Sequence, residues 1–145
     1  MKKDGLDPDQ MSDLLNKKSG VLGISGISSD IREVEAAIRE GNEHAKLAME
    51  MYDYRIKKYI GAYAAAMGGV DIVVFTAGVG EHQWDVRQGA CEGLEFMGIK
   101  LDEEKNRKNC GDEEIISTPD SRVKVVVVPT DEELLIASDT LDLVK

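Results

Sequence analysis

Between Asn42 and Gly68, apolar residues recur every three or four positions: Ala45, Ala48, Met49, Tyr52, Ile56, Tyr59, Ile60, Tyr63, Ala66 and Met67. That spacing predicts one long amphipathic helix, opened by Asn42 and stopped by Gly68-Gly69. Two shorter helices are predicted ahead of it. Asp7-Pro8-Asp9-Gln10 combines a capping acid, a first-turn proline and a capping-box glutamine, and predicts a helix to about Lys17. Ser28 or Ser29 is placed to cap a second helix, Asp30 to about Arg39, ending at Gly41. The intervening Ser19–Ser28 stretch, glycine and serine with interleaved aliphatics, reads as a loop.

After Gly69 the period changes. Ile72-Val-Val-Phe75 is a short continuous apolar run, the pattern of a parallel strand covered on both faces. Ala77-Gly78-Val79-Gly80 follows as a turn into a helix from about His82 to Met97, with Trp84, Val86, Ala90, Leu94 and Met97 as its stripe. A charged linker comes next. Glu114–Thr118 and Val123–Val128 then read as strands joined by Pro119-Asp120-Ser121. Pro129 closes the second strand, and Thr130, with Glu133 as its capping-box partner, is expected to open a last helix. The result is an α/β chain forming a single unit over 1–145, with a short, mostly parallel sheet and flanking helices.

Charge narrows the function classes. With 18 basic and 28 acidic residues the net charge is −10, which argues against nucleic acid and against anionic membrane surfaces as partners. No apolar stretch is long enough to span a bilayer, and Met-Lys-Lys is followed by Asp4, Asp7 and Asp9 where a leader needs an apolar run. Cys91 and Cys110 form no CxxC pattern, so reduced thiols in a cytoplasmic protein are expected.

The candidate chemistry lies after the two strand-to-helix turns. Ligands in open α/β sheets collect beyond the carboxyl ends of parallel strands, where the glycine turn and Asp131-Glu132-Glu133 would both open. The turn is neither a Walker A loop nor a full GxGxxG, and by itself it is better described as a tight strand-to-helix connection. Acids in a first helical turn also simply complement the helix dipole. His44 and His82 lack partners that would mark a general base. Asp30 and Arg32 read as a helix-start acid and a solvated arginine.

Four segments together are more specific. Asn16-Lys-Lys-Ser-Gly-Val-Leu-Gly-Ile-Ser-Gly-Ile-Ser-Ser-Asp-Ile-Arg32 and Tyr59-Ile-Gly-Ala-Tyr63 resemble signature stretches of acetate kinases. Phe75-Thr-Ala-Gly-Val-Gly-Glu81 resembles that family's FTGGIGEN loop, and Val127-Val-Pro-Thr-Asp-Glu-Glu133 its IPTNEE segment. The order is right and nearly the whole chain is involved.

The resemblance implies a partial sugar-kinase and actin-like (ribonuclease-H-like) fold and reversible ATP-dependent phosphorylation of acetate to acetyl phosphate with Mg2+. It places nucleotide contacts at Asp30, Ile31 and Arg32 and at Gly78, Val79, Gly80, Glu81 and His82, with the metal carboxylate at Glu132. Arg32, the glycine turn and Glu132 would line one crevice, and Gly80→Val would exclude the nucleotide sterically. His82 stands where the family has asparagine, exchanging one amide for two distant ring nitrogens. Ala77 stands where it has glycine, a change expected to be mild. The match is to roughly the last third of a family member. The acceptor pocket and most phosphoryl-clamping groups would then lie elsewhere, no catalytic residue is assigned here, and the chain alone is expected to be inactive. A homodimer is implied too. A propionate or butyrate kinase relative, and a non-catalytic association module built on the alanine-rich helix, are the competing readings.

Overall fold

The computed structural model describes residues 5–145. Met1 to Asp4, which carry part of the expectation that no leader is present, lie outside the described residues. The chain forms two compact units, one up to Ile56 and the other Lys57–Lys145. Among the described residues no helix is long and apolar enough to cross a membrane.

The first unit is helical. Helix α1, Pro8–Lys17, begins at the expected capping box: Asp7 Oδ1 accepts from the Gln10 amide at 2.8 Å and Gln10 Oε1 from the Asp7 amide at 3.0 Å. The Ser19–Ser28 stretch is not a plain loop. It winds into a short helix α2, Gly20–Ser25, closed by Gly26 at φ 67°. Propensity argued against helix here, but the left-handed glycine provides a stop that Val21, Leu22 and Ile24 need in order to sit on one turn. Helix α3 spans Ile31–Arg39, and its cap is Asp30 rather than either serine. Ser28 instead accepts from the Asp30 amide at 3.0 Å, one step earlier in the same turn. Val34 is its fully buried residue.

Helix α4, Glu43–Met67, starts where Asn42 Oδ1 accepts from the Ala45 amide at 3.0 Å. Its end is a glycine stop, with Gly69 donating to the Ala64 carbonyl at 2.9 Å and Gly68 at φ 78°. Ala45, Ala48 and Met49 are buried as the stripe predicts. The last turns depart from it: Tyr59, Tyr63 and Met67 are exposed, and Ala64 is the buried position.

The second unit carries the sheet. Strand β1, Ile72–Phe75, pairs in parallel with β3, Lys124–Val127, in the register Ile72↔Lys124 to Phe75↔Val127. Strand β2, Glu114–Ile115, pairs antiparallel with the other side of β3. The order β1-β3-β2 makes the sheet mixed, with β3 central. Val123, Val125 and Val127 are fully buried, and Ile99, Ile116, Val86, Ala90 and Leu94 complete the core around them. β1 is covered on only one face, because Ile72 and Val74 are exposed while Phe75 is buried.

The glycine turn is itself helical, as α5, Ala77–His82. Gln83, at φ −102° and ψ 90°, separates it from α6, Trp84–Cys91, so the helix predicted from about His82 to Met97 is α6 followed by a 3-10 turn at Glu95–Met97. Gly93, at φ 75°, follows α6, and Gly98, at φ 89°, closes the 3-10 turn. The charged linker holds α7, Glu103–Lys108. Asp102 caps it, acids fill its first turn and bases its last, which is the charge order a helix dipole favours. Helix α8, Glu132–Val144, is capped by Asp131, whose Oδ1 accepts from the Leu134 amide at 2.9 Å. The expected Thr130–Glu133 box does not form, because Thr130 is engaged elsewhere.

Candidate functional site

Because β1 and β3 are parallel, their carboxyl ends share one edge of the sheet. α5 leaves β1 there and α8 leaves β3 there. Glu81 ties the two exits together: its Oε1 accepts from the Thr130 amide at 2.9 Å and from the Thr130 hydroxyl at 2.7 Å. This is what diverts Thr130 from capping α8. The Thr130 hydroxyl and amide, with a smaller contribution from the Ala77 amide, hold the Glu81 carboxyl below its ordinary range although burial acts the other way. The glycine turn and the Asp131–Glu132 helix start thus meet at one edge.

The two glycines of the turn have different surroundings. A Cβ on Gly78 would enter open space, whereas one on Gly80 would lie 3.2 Å from the Phe75 carbonyl carbon. Gly80 lets α5 fold back against the end of β1, so Gly80→Val reports on packing as well as on any ligand. Ala77 sits at φ 59°, in the left-handed region that favours glycine. Alanine there is strained, not a mild replacement. Val79 lies between the glycines on the same turn.

His82, at the end of α5, turns away from the helix axis onto the loop after α7. Its Nδ1 is 3.0 Å from the Cys110 carbonyl oxygen, to which a protonated Nδ1 donates. Its Nε2 lies 4.0 Å from Glu81 Oε2. The ring rests on Gly111, where an added Cβ would approach Cε1 to 2.7 Å. Cys110 is exposed, while Cys91 is buried and its thiol is pushed up to about 12 by burial.

Glu132 is the first residue of α8, exposed, next to an Asp131 already committed to capping. Among the described residues no group of three or more His, Cys, Asp or Glu side chains gathers as a metal cage. A cation at Glu132 would therefore complete its coordination with water and with oxygens of a bound ligand, as Mg2+ commonly does.

Asp30, Ile31 and Arg32 belong to the first unit, at the start of α3. Asp30 Oδ1 accepts from the Arg32 amide at 2.9 Å and from Arg32 Nε at 3.0 Å, while Oδ2 lies 2.5 Å from Nη2. The Arg32 guanidinium, and then its amide, draw the Asp30 carboxyl down to about 2. Both side chains remain solvent-accessible, with Arg32 at 81%.

Arg87 is the residue that the sequence pattern passed over. It is fully buried in α6, and its guanidinium reaches the carbonyls of Gly80 and Glu81. Its position three residues before Ala90 and seven before Leu94 puts it on the apolar face, which was the available signal.

The acetokinase family model matches residues 1–138. The acetate kinase of Bacteroides thetaiotaomicron is 67% identical over 145 residues, covering 100% of this chain and 36% of that protein. The crystal structure of Porphyromonas gingivalis acetate kinase superposes with a TM-score of 0.92 at 61% identity, over 100% of this chain and 36% of that one. A propionate kinase from Francisella tularensis superposes with a TM-score of 0.83 at 34% identity, over 94% of this chain and 34% of that one. The chain spans about 36% of the length of the curated relatives it matches. A family match over residues 1–138, nearly the whole length, makes this chain a member of the acetokinase family.

Proposed function

We propose that residues 1–145 act as the nucleotide-binding C-terminal part of a cytoplasmic acetate kinase, which transfers a phosphoryl group reversibly between ATP and acetate. The observation that carries this reading is the Glu81–Thr130 tie, which gathers the glycine turn and Glu132 at the carboxyl edge of the parallel pair. In this reading the bare backbone at Gly78, with Val79 beside it, lies against the nucleoside, and Gly80 and Glu81 shape the turn behind it. Within the first unit, Asp30 and Ile31 set the start of α3, which presents Arg32 as a nucleotide contact. His82 borders the same turn. Glu132 would hold Mg2+, directly or through water, and the bound ion would supply charge neutralisation of the phosphates.

Phosphoryl transfer rests on positioning and charge stabilisation from all sides of the phosphates. One wall of a cleft does not assemble that, so the 145 residues alone are expected to show no acetate-dependent ATP consumption. Two experiments test the proposal. Titration of the chain with MgADP should give saturable binding that Gly78→Val weakens and Glu132→Ala makes less dependent on metal; no uptake by the unaltered chain overturns it. Grafting these residues in place of the matching third of the Bacteroides thetaiotaomicron enzyme should keep acetate phosphorylation, and an inactive, folded graft counts against it.

A second reading, a propionate kinase relative, has the 34%-identical Francisella tularensis structure in its favour. Acetate and propionate compared as acceptors in a graft onto that enzyme discriminate the two. We further propose that the chain pairs with a second copy, favoured by the exposed Tyr59, Tyr63 and Met67 on α4.

A further inference from the structure

Arg87 carries a charge into the interior and satisfies every donor it has. Nε donates to Asn106 Oδ1 at 2.7 Å, Nη1 to the Gly80 and Glu81 carbonyls at 2.9 and 2.7 Å, and Nη2 to the Asn106 and Asn109 carbonyls at 2.8 and 3.1 Å. None of these acceptors is a carboxylate. Burial lowers the guanidinium from its ordinary value, the cost of holding a cation against neutral dipoles alone. Two of the acceptors are last-turn carbonyls of α5, which have no partner further along their own helix. The other three belong to α7 and the residue that follows it.

We infer that Arg87 is the positioning residue of the glycine turn, fixing the outgoing end of α5 against the Asn106–Gly111 segment and so setting where Gly78 and His82 stand. The link to His82 is continuous. Arg87 holds the Asn109 carbonyl, the next residue's carbonyl accepts from His82, and the ring lies on Gly111. A lysine offers one nitrogen where the site uses three, and an apolar residue would strand the α5 carbonyls. The functional half of this inference rests on the nucleotide-binding reading; the structural half stands on bonds within the chain.

The test uses Arg87→Lys and the two histidines of the sequence, with His44 on α4 as internal reference. In the unaltered chain, imidazole nitrogen NMR should show His82 as the Nδ1–H tautomer. In Arg87→Lys that preference should be lost while His44 is unchanged. The Gln83 amide, which caps α5, should exchange about tenfold faster, roughly the loss of one buried hydrogen bond, with the Val125 and Val127 amides of β3 unaffected. MgADP affinity should fall by a similar factor. An unchanged His82 and Gln83, or exchange accelerated equally in β3, overturns the inference. If Arg87→Lys does not fold, Asn106→Ala, which removes one acceptor, decides by the same readouts with an expected change of about threefold. Loosening of His82 and Gln83 with MgADP affinity intact removes the functional half. An unaltered chain that takes up no MgADP does so too and overturns the nucleotide reading, while the NMR readouts still decide the role of Arg87 in setting the turn.

Discussion

Three neighbouring small residues in α5 do three different jobs. Ala77 is held at φ 59°, where an L-residue with a Cβ is disfavoured by about 1–2 kcal/mol and glycine gives back about 0.5–1 kcal/mol through its freer unfolded chain. Ala77→Gly should therefore stabilise the chain by about 0.5–1 kcal/mol, seen as a higher urea midpoint at unchanged slope. Gly78 faces open space and has ordinary helical φ, so Gly78→Ala should leave stability level or raise it by about 0.4–1 kcal/mol. Gly80 abuts the Phe75 backbone, so Gly80→Ala should cost about 1–3 kcal/mol through overpacking. Denaturation of the pair separates a glycine that faces open space from a packing glycine. The sequence marked both as glycines after a strand and could not distinguish them, because the distinction is which way each missing Cβ would point.

At the scale of elements, helix starts carry the pH response. Asp30 caps α3 and is drawn down to about 2 by Arg32. A carboxyl lowered on folding contributes fully above its ordinary value of 3.8, and that contribution is lost as pH falls toward about 2. Glu81, also lowered by Thr130, follows the same sign, so acid should loosen the α5–Thr130 tie as well. Carbon NMR titration should find the Asp30 carboxyl protonating near the bottom of that window. Thr130→Val should remove the hydroxyl bond to Glu81, move its titration upward and lower the melting temperature. The caps at Asp7 and Asn42 were legible from spacing alone, since capping is local chemistry. Thr130 was misread for a long-range reason: its hydroxyl is taken by a residue 49 positions away, leaving Asp131 to cap α8.

Across the whole molecule, apolar surface is left uncovered. Leu134, Leu135, Ile136, Leu141, Leu143 and Val144 of α8 are all exposed, as are Ile72 and Val74 of β1. Surface of that extent favours association in water. The 15.9 kDa chain should sediment as a dimer or larger species at tens of micromolar; a monomer across that range counts against the pairing proposed through α4. Dye binding to exposed apolar surface should fall as association proceeds.

Periodicity and capping chemistry determined where most helices lie, why α4 starts at Asn42 and stops at Gly68-Gly69, and that two strand-to-helix exits carry the candidate site. These are properties of neighbouring residues, so they are written locally. Tertiary structure decided the rest. It opened one face of β1, wound the glycine turn into α5, gave the Ser19–Ser28 stretch a helical turn, and made Glu81 and Arg87 the ties that hold the glycine turn. The two ties depend on partners about 20 to 50 positions away, Asn106 for Arg87 and Thr130 for Glu81. A buried polar group takes whatever acceptor the fold brings within reach, and no spacing along the chain specifies which one that is.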